Sequence, residues 1–280
     1  MGCLSRVKVI NAGELVAGKV YNSDVMVPCG KCPACKLRRV NDWVIRLTEE
    51  ERHHKYAMFL TLTYQTEHIP ISPNHFMTLK KEDLQNFFKR LRKQGHTFKY
   101  FAVGEYGGLR KRPHYHIILM GDMTEQNVVD AWTLNGEMLG GVNIGSVSGN
   151  SIAYTLKYID KEKSYKHKRD DRKNEFSIMS KNLGKSWVTD EKTKYYRDDL
   201  KRLYVTHNEW KKALPKYYRN VMLSDREKKI QVDIVQKLQS EEEAAGYKKD
   251  PNYYVQKSIE KKAILTNFIN RTKTKKRCID

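Results

Sequence analysis

The chain has no run of about 18 apolar residues and no apolar stretch behind a basic N-terminus, so neither a membrane-spanning helix nor a signal peptide is expected. It has no Gly-rich phosphate loop of the Walker type, so any strand separation must come from another protein. No internal repeat is visible. Cysteines are few, five in all, and three of them sit in Cys29-Gly30-Lys31-Cys32-Pro33-Ala34-Cys35. That spacing fits metal binding or free thiols in a reducing, cytosolic compartment better than a disulfide framework. Acidic residues are outnumbered, 33 against 53 basic, for a net charge of +20. The basic residues are spread along the chain rather than confined to one tail, which favours an extended polyanion as partner, nucleic acid before a membrane surface. With 280 residues, 39% of them hydrophobic, one good-sized core or two modest domains can be packed.

Met1 to Val27 mixes short Val and Ile runs with Gly and Asn and reads as a compact turn leading into the cysteines. Leu37 to His53 reads as a helix, with Val40, Trp43, Val44 and Leu47 at spacings of three and four. Met58 to Tyr64 is aromatic and β-branched and reads as a buried strand. Thr78 to Lys93 reads as a helix carrying Leu79, Leu84, Phe87, Phe88 and Leu91, stopped at Gly95. Phe98 to Tyr106 and His114 to Gly121 read as antiparallel strands joined by the loop from Gly107 to Pro113. A short helix capped by Thr124, a strand from Val142 to Val147 and a helix from Ser151 to Lys161 complete a β-α-β-β-α-β-α order. That order resembles a split βαβ sheet. Beyond residue 165 a polar stretch to Lys201 reads as a DNA-contacting loop. Helical patterns follow from Ser224 to Ala245 and from Pro251 to Asn270, and the tail from Arg271 to Arg277 reads as a solvated basic end. The expected fold is α+β: a central antiparallel sheet flanked by helices, with a helical C-terminal extension.

Two segments carry chemistry. On a strand, residues two apart face the same way, so His114 and His116 project side by side while Tyr115 points into the opposite layer. Two imidazoles need a further ligand, and Glu105, near the far end of the hairpin, is the acid expected to complete the site. Such a set, with open positions, can hold Mg²⁺ or Mn²⁺ against a phosphate oxygen. Spacing alone equally fits ordinary strand histidines paired with backbone or water. In the second segment, a helical turn of about 100° per residue places Tyr154, Lys157, Tyr158 and Lys161 on one arc and Ile152, Leu156 and Ile159 on the other side. A phenol, with an ordinary pKa near 10, needs a nearby cation to favour the phenolate, and Lys157 or Lys161 can supply it. The same face also fits simple stacking beside nucleic acid.

These residues resemble the rolling-circle replication initiators of the HUH endonuclease superfamily, and within it those of the gokushovirus-like microviruses, small single-stranded DNA phages. Phe59-Leu60-Thr61-Leu62-Thr63-Tyr64 is similar to the first motif of the family. Gly104-Glu105-Tyr106-Gly107, leading through Arg112-Pro113 to His114-Tyr115-His116, is similar to the metal motif, and Tyr154 to Lys161 to the two-tyrosine motif. The cysteine cluster followed by Arg38, Arg39, Trp43 and Arg46, and Glu175-Phe176 with Met179-Ser180, are similar to the phage branch. The chain departs at Tyr115, where the family's middle position is often aliphatic. The resemblance, over residues 3 to about 190, implies an HUH/RRM-like fold and a tyrosine nick at origin DNA. It further implies a 5′-phosphotyrosine link, a free 3′-hydroxyl for the host polymerase, and exchange between Tyr154 and Tyr158 in an order the sequence leaves open. A host helicase and the cytoplasm of the bacterial host are implied as well.

Cys29, Cys32 and Cys35, with Cys3 if the N-terminal segment folds back, provide a Cys₄ set for structural Zn²⁺; a reactive Cys-x-x-Cys pair and an uncoordinated thiol cluster are the alternatives. The expected organisation is an N-terminal cysteine segment and helix over 1–56, an endonuclease core over 57–165 and a basic, largely helical region over 166–280. The rival readings are a non-catalytic single-stranded DNA binding protein and a relaxase or transposase of the same superfamily. Relaxases commonly use three histidines, which this chain does not show.

Overall fold

In the computed structural model, which describes residues 3–4, 6–16, 19–156, 168–207, 209–250 and 252–277, the N-terminal segment is a hairpin of β1 (Val7–Val16) and β2 (Lys19–Val27). This corrects the compact turn expected there. The Asn and Gly residues read as breaks are absorbed by a register shift between Asn11 and Glu14, with regular pairing on either side. α1 (Pro33–Glu51) starts inside the cysteine cluster, where a proline in the first helical turn sacrifices no hydrogen bond.

The central part follows the expected order: β3 (Ala57–Thr63), α2 (Lys81–Lys93), β4 (Phe98–Tyr106), β5 (Pro113–Gly121) and α3 (Glu125–Ala131). A two-residue pair, β6 (Thr133–Leu134) and β7 (Glu137–Met138), then leads to β8 (Val142–Ser146) and α4 (Gly149–Leu156). α2 begins later than expected because the extended backbone before it is tied down: Leu79 N–H donates to the Tyr106 hydroxyl and Lys80 N–H to that of Tyr115. α3 is closed by a capping box between Thr124 and Asn127.

The polar stretch expected to be a loop contains a further strand, β9 (Phe176–Met179), and a helix, α5 (Asp190–Asp198). With β9 at one edge the sheet runs β8-β3-β5-β4-β9, every neighbouring pair antiparallel. β3 and β4 are therefore parallel with β5 between them, the split βαβ arrangement. Gly104 is what lets β9 close in: a Cβ there would lie 3.0 Å from the Phe176 ring and 3.1 Å from Leu79.

Both faces of the sheet are covered. Leu60, Leu62, Ala102, Tyr115, Ile117 and Leu119 face α2 and α3, meeting Leu84, Phe87, Phe88, Leu91 and the fully buried Trp132. Phe101, Val103, Ile118 and Met120 face the other way, towards Trp43 and Leu47 of α1 and Ile152 and Leu156 of α4. A third cluster lies on the far side of α1. There Ile45 packs with Tyr196, Val205, Leu214, Tyr218 and Met222, drawn from α5, a hairpin of β10 (Tyr204–His207) and β11 (Trp210–Ala213), and α6 (Lys216–Met222). α7 (Asp225–Lys249), with a Ser224–Glu227 capping box, and α8 (Tyr253–Arg277) complete the described chain. No helix among the described residues is long and apolar enough to cross a membrane.

Candidate active site

The α1/α4 face of the sheet changes character at one end. Antiparallel pairing sets Glu105 opposite His114, and His116 between Val103 and Thr61, so the period-two alternation that buries Ile118 and Met120 brings both imidazoles and the carboxylate to the same surface. His114 Nε2 lies 2.7 Å and His116 Nε2 2.9 Å from the same oxygen, Oε1 of Glu105. Glu105 is only 3% exposed. Burial pushes its carboxyl up, but hydrogen bonds from His114 and His116 outweigh that and hold it down to about 2, so it is a carboxylate at neutral pH.

The rings are fixed from behind. Nδ1 of His114 lies 3.2 Å from the Arg112 carbonyl, which can only accept, so this nitrogen carries a proton. Nδ1 of His116 lies 3.0 Å from the Thr61 hydroxyl, and Phe59 stacks on the ring at 5.6 Å between centroids. Each ring is thereby oriented to present Nε2 forward as a ligand atom. The three ligand atoms lie within 4.8 Å of one another. Adjacent ligands of an octahedral Mg²⁺ are separated by about 2.9 Å, so one carboxylate and two imidazoles in this arrangement fit one side of such an ion and leave positions open.

Tyr154 comes from the opposite wall. α4 is anchored by Ile152 and Leu156, 1% and 0% exposed, while Tyr154 is 37% exposed and its ring stands edge-on to His116 at 5.2 Å between centroids. The structure thus brings together Glu105, His114, His116 and Tyr154. Lys157, Tyr158 and Lys161 lie outside the described residues. Tyr115 points to the other face, fully buried, its hydroxyl 2.9 Å from that of Tyr64 and donating to the Lys80 carbonyl.

The second grouping is Cys3, Cys29, Cys32 and Cys35, whose sulfurs also lie within 4.8 Å of one another. Cys3 Sγ is 3.6 Å from Cys29 Sγ and 3.9 Å from Cys32 Sγ. The edge of a tetrahedral Zn–S₄ site is about 3.8 Å, so the sulfur set fits that ion. Backbone N–H groups of Leu4, Cys29 and Cys32 donate to the sulfurs of Cys32, Cys3 and Cys29, support of the kind that surrounds thiolate ligands. At Cys32 burial is opposed and outweighed by the N–H groups of Leu4 and Cys35 and by neighbouring thiols, which bring it down to about 6. Burial, with Cys32 beside it, pushes Cys35 up to about 12.

Residues 57–163, from β3 through α4, match the family model described as replication-associated protein ORF2/G2P. Replication-associated protein ORF2 of Spiroplasma virus 4 is 29% identical over 270 residues, covering 84% of each chain. The chain thus resembles this family. Two further relatives are the replication-associated protein VP4 of Bdellovibrio phage phiMH2K, 26% identical over 84% of this chain and 83% of that one, and the replication-associated protein ORF4 of Chlamydia phage 1. The latter is 24% identical over 70% of this chain and 53% of its own length. No solved structure matches.

Sequence reasoning named Glu105, His114 and His116 but not the groups that hold the two rings. Phe59 and Thr61 lie inside the motif Phe59 to Tyr64, and their alternation was readable. Their register against His116 was not, because pairing between strands so far apart in the chain is fixed only in the folded sheet.

Proposed function

We propose that this protein initiates rolling-circle replication of a single-stranded DNA genome by nicking origin DNA with a tyrosine. The observation that carries the reading is the Glu105–His114–His116 group with Tyr154 standing over His116. A Mg²⁺ or Mn²⁺ ion held by these three residues would supply Lewis-acid polarisation of the scissile phosphate. The phenol oxygen of Tyr154 or Tyr158 attacks phosphorus, its proton leaving to a nearby base or water. The P–O3′ bond breaks, and the departing 3′-oxygen takes up a proton to become the hydroxyl that a host polymerase extends. Lys157 and Lys161 serve as the cations that favour the phenolate. With two tyrosines, one holds the 5′ end while the other cuts the regenerated origin, and reversal of the first step rejoins the displaced strand.

The Cys₄ group serves as a structural Zn²⁺ site. A host helicase separates the strands, and the reaction takes place in the cytoplasm of the bacterial host.

The test uses labelled single-stranded origin DNA with Mn²⁺ or Mg²⁺, reading covalent adduct on denaturing gels. Adduct is expected with the parent, and none in a Tyr154→Phe, Tyr158→Phe double variant. His114→Ala should abolish adduct while DNA binding is retained. Adduct that persists in the double variant overturns the mechanism.

A further inference from the structure

The α1/α4 face of the sheet is covered unevenly. α4 lies over β4 and β5, where its Ile152 and Leu156 meet Phe101, Val103, Ile118 and Met120. Towards the β8 edge the face opens. β8 pairs with β3 without a shift from Val142 to Ser146, and its Val142 and Ile144 pack against the core under α2 and α3. Alternation therefore puts Asn143 and Gly145 on the same face as the metal-binding group. Both are exposed, as is Thr63, which stands opposite His114. Asn143 is paired with Thr61, and Thr61 on its other side with His116, so these three form one row across the sheet. Two strand spacings, about 10 Å, separate the Cα atoms of Asn143 and His116.

Nothing inside the fold requires a glycine at 145. The pairing there carries no bulge, the residue is not among the glycines with positive φ, and a Cβ would meet nothing nearer than the Phe59 carbonyl at 3.9 Å. Glycine weakens a strand interior, and where neither bulge nor backbone calls for it, the space it keeps open is for an approaching ligand. Asn143, next to that space, offers an amide whose donor and acceptor lie side by side, the pattern that reads base edges. A DNA strand with a phosphate on Glu105, His114 and His116 has Tyr154 and α4 on one side and this low shelf on the other. A base laid over the shelf meets the Asn143 amide.

We propose that Asn143 reads one base of the single strand beside the scissile phosphate, on a shelf that Gly145 keeps clear. This deepens the proposed function and rests on that reading for where the phosphate lies.

The test measures binding of fluorescein-labelled single-stranded origin DNA by anisotropy, in the presence of a chelator so that no cleavage intervenes. Unlabelled competitors are changed one base at a time along the origin. Asn143→Ala should flatten a base preference of about ten-fold at one position to within about two-fold, and leave the preferences at other positions as they are in the parent. Gly145→Val should weaken binding about ten-fold by filling the shelf, while its thermal midpoint stays at or above that of the parent, because a β-branched residue suits a strand. Gly145→Ala should move both readings in the same directions by less. A base preference unchanged in Asn143→Ala, or equal affinities in Gly145→Val and parent, overturns the proposal. So does a midpoint lowered in both glycine variants, which would make Gly145 a structural requirement. Failure of the parent to form covalent adduct would overturn the nicking reading, and the binding series, which needs no cleavage, would still decide the shelf.

Discussion

Thr61 has the same size as valine, and that makes its hydroxyl separable from its bulk. Thr61→Val keeps the packing beside His116 but removes the hydroxyl 3.0 Å from Nδ1 that orients the ring. Affinity for Mn²⁺ should fall about 10- to 100-fold, with Thr61→Ser restoring most of it, as read by calorimetric titration of the metal. Equal affinities in Thr61→Val and parent would remove the hydroxyl's role. Glu105 gives a second residue-scale prediction, in the metal-free protein. Its folded pKa of about 2 lies below the ordinary 4.5, so its ionisation stabilises the fold above about pH 4.5 and this contribution is lost as pH falls through 2. The difference in unfolding free energy between parent and Glu105→Gln, up to about 3 kcal/mol in favour of the parent near neutral pH, should shrink across that window. Denaturant titrations at several pH values measure it, and a gap independent of pH would contradict the assignment.

In the proposed reaction α4 couples packing to chemistry, because one short helix both closes the core and carries Tyr154. Leu156 is fully buried between the sheet and α1, so Leu156→Ala should cost about 2–5 kcal/mol by chemical denaturation. It should also slow adduct formation at saturating DNA, since the helix that aims the phenol loses its anchor. Full stability loss with an unchanged adduct rate would show that Tyr154 is positioned by something other than this contact. Elements such as α4, α2 and α1 were legible because their apolar stripes recur with helical spacing, and the His114/His116 pair because strand alternation is local. What was not legible depended on partners distant in the chain. β9 is four residues long in a polar stretch, and its pairing depends on β4, where Gly104 leaves room for Phe176. The β1–β2 hairpin was hidden by Asn and Gly residues that an irregular register tolerates, and β10–β11 by strands too short to show a period.

At the scale of the whole molecule, α1 is the shared wall. Its inner stripe of Val40, Trp43, Val44 and Leu47 packs on the sheet and beside α4, and its outer side offers Ile45 to the C-terminal cluster. Arg46, between Trp43 and Tyr217, donates to the Leu183 carbonyl, and Glu50 accepts from the Gly184 amide, so the helix also fixes the segment after β9. The first turn of this helix contains Cys35 and is preceded by Cys32, which places the cysteine group at the end of the element on which both layers depend. Loss of the proposed zinc should therefore not remain local. Stripping the metal with a strong chelator, or Cys29→Ser, is expected to cost about 3 kcal/mol or more, lowering the thermal midpoint by roughly 6–12 °C in a cooperative transition, and to release about one zinc per chain. Because α4 lies against α1, the same treatment should reduce adduct formation even when Mn²⁺ is restored to the Glu105–His114–His116 group, while zinc, but not Mn²⁺, brings activity back. A chain that contains no zinc as purified, or whose midpoint is unmoved by chelation, would mean that the four thiols hold the start of α1 by packing alone.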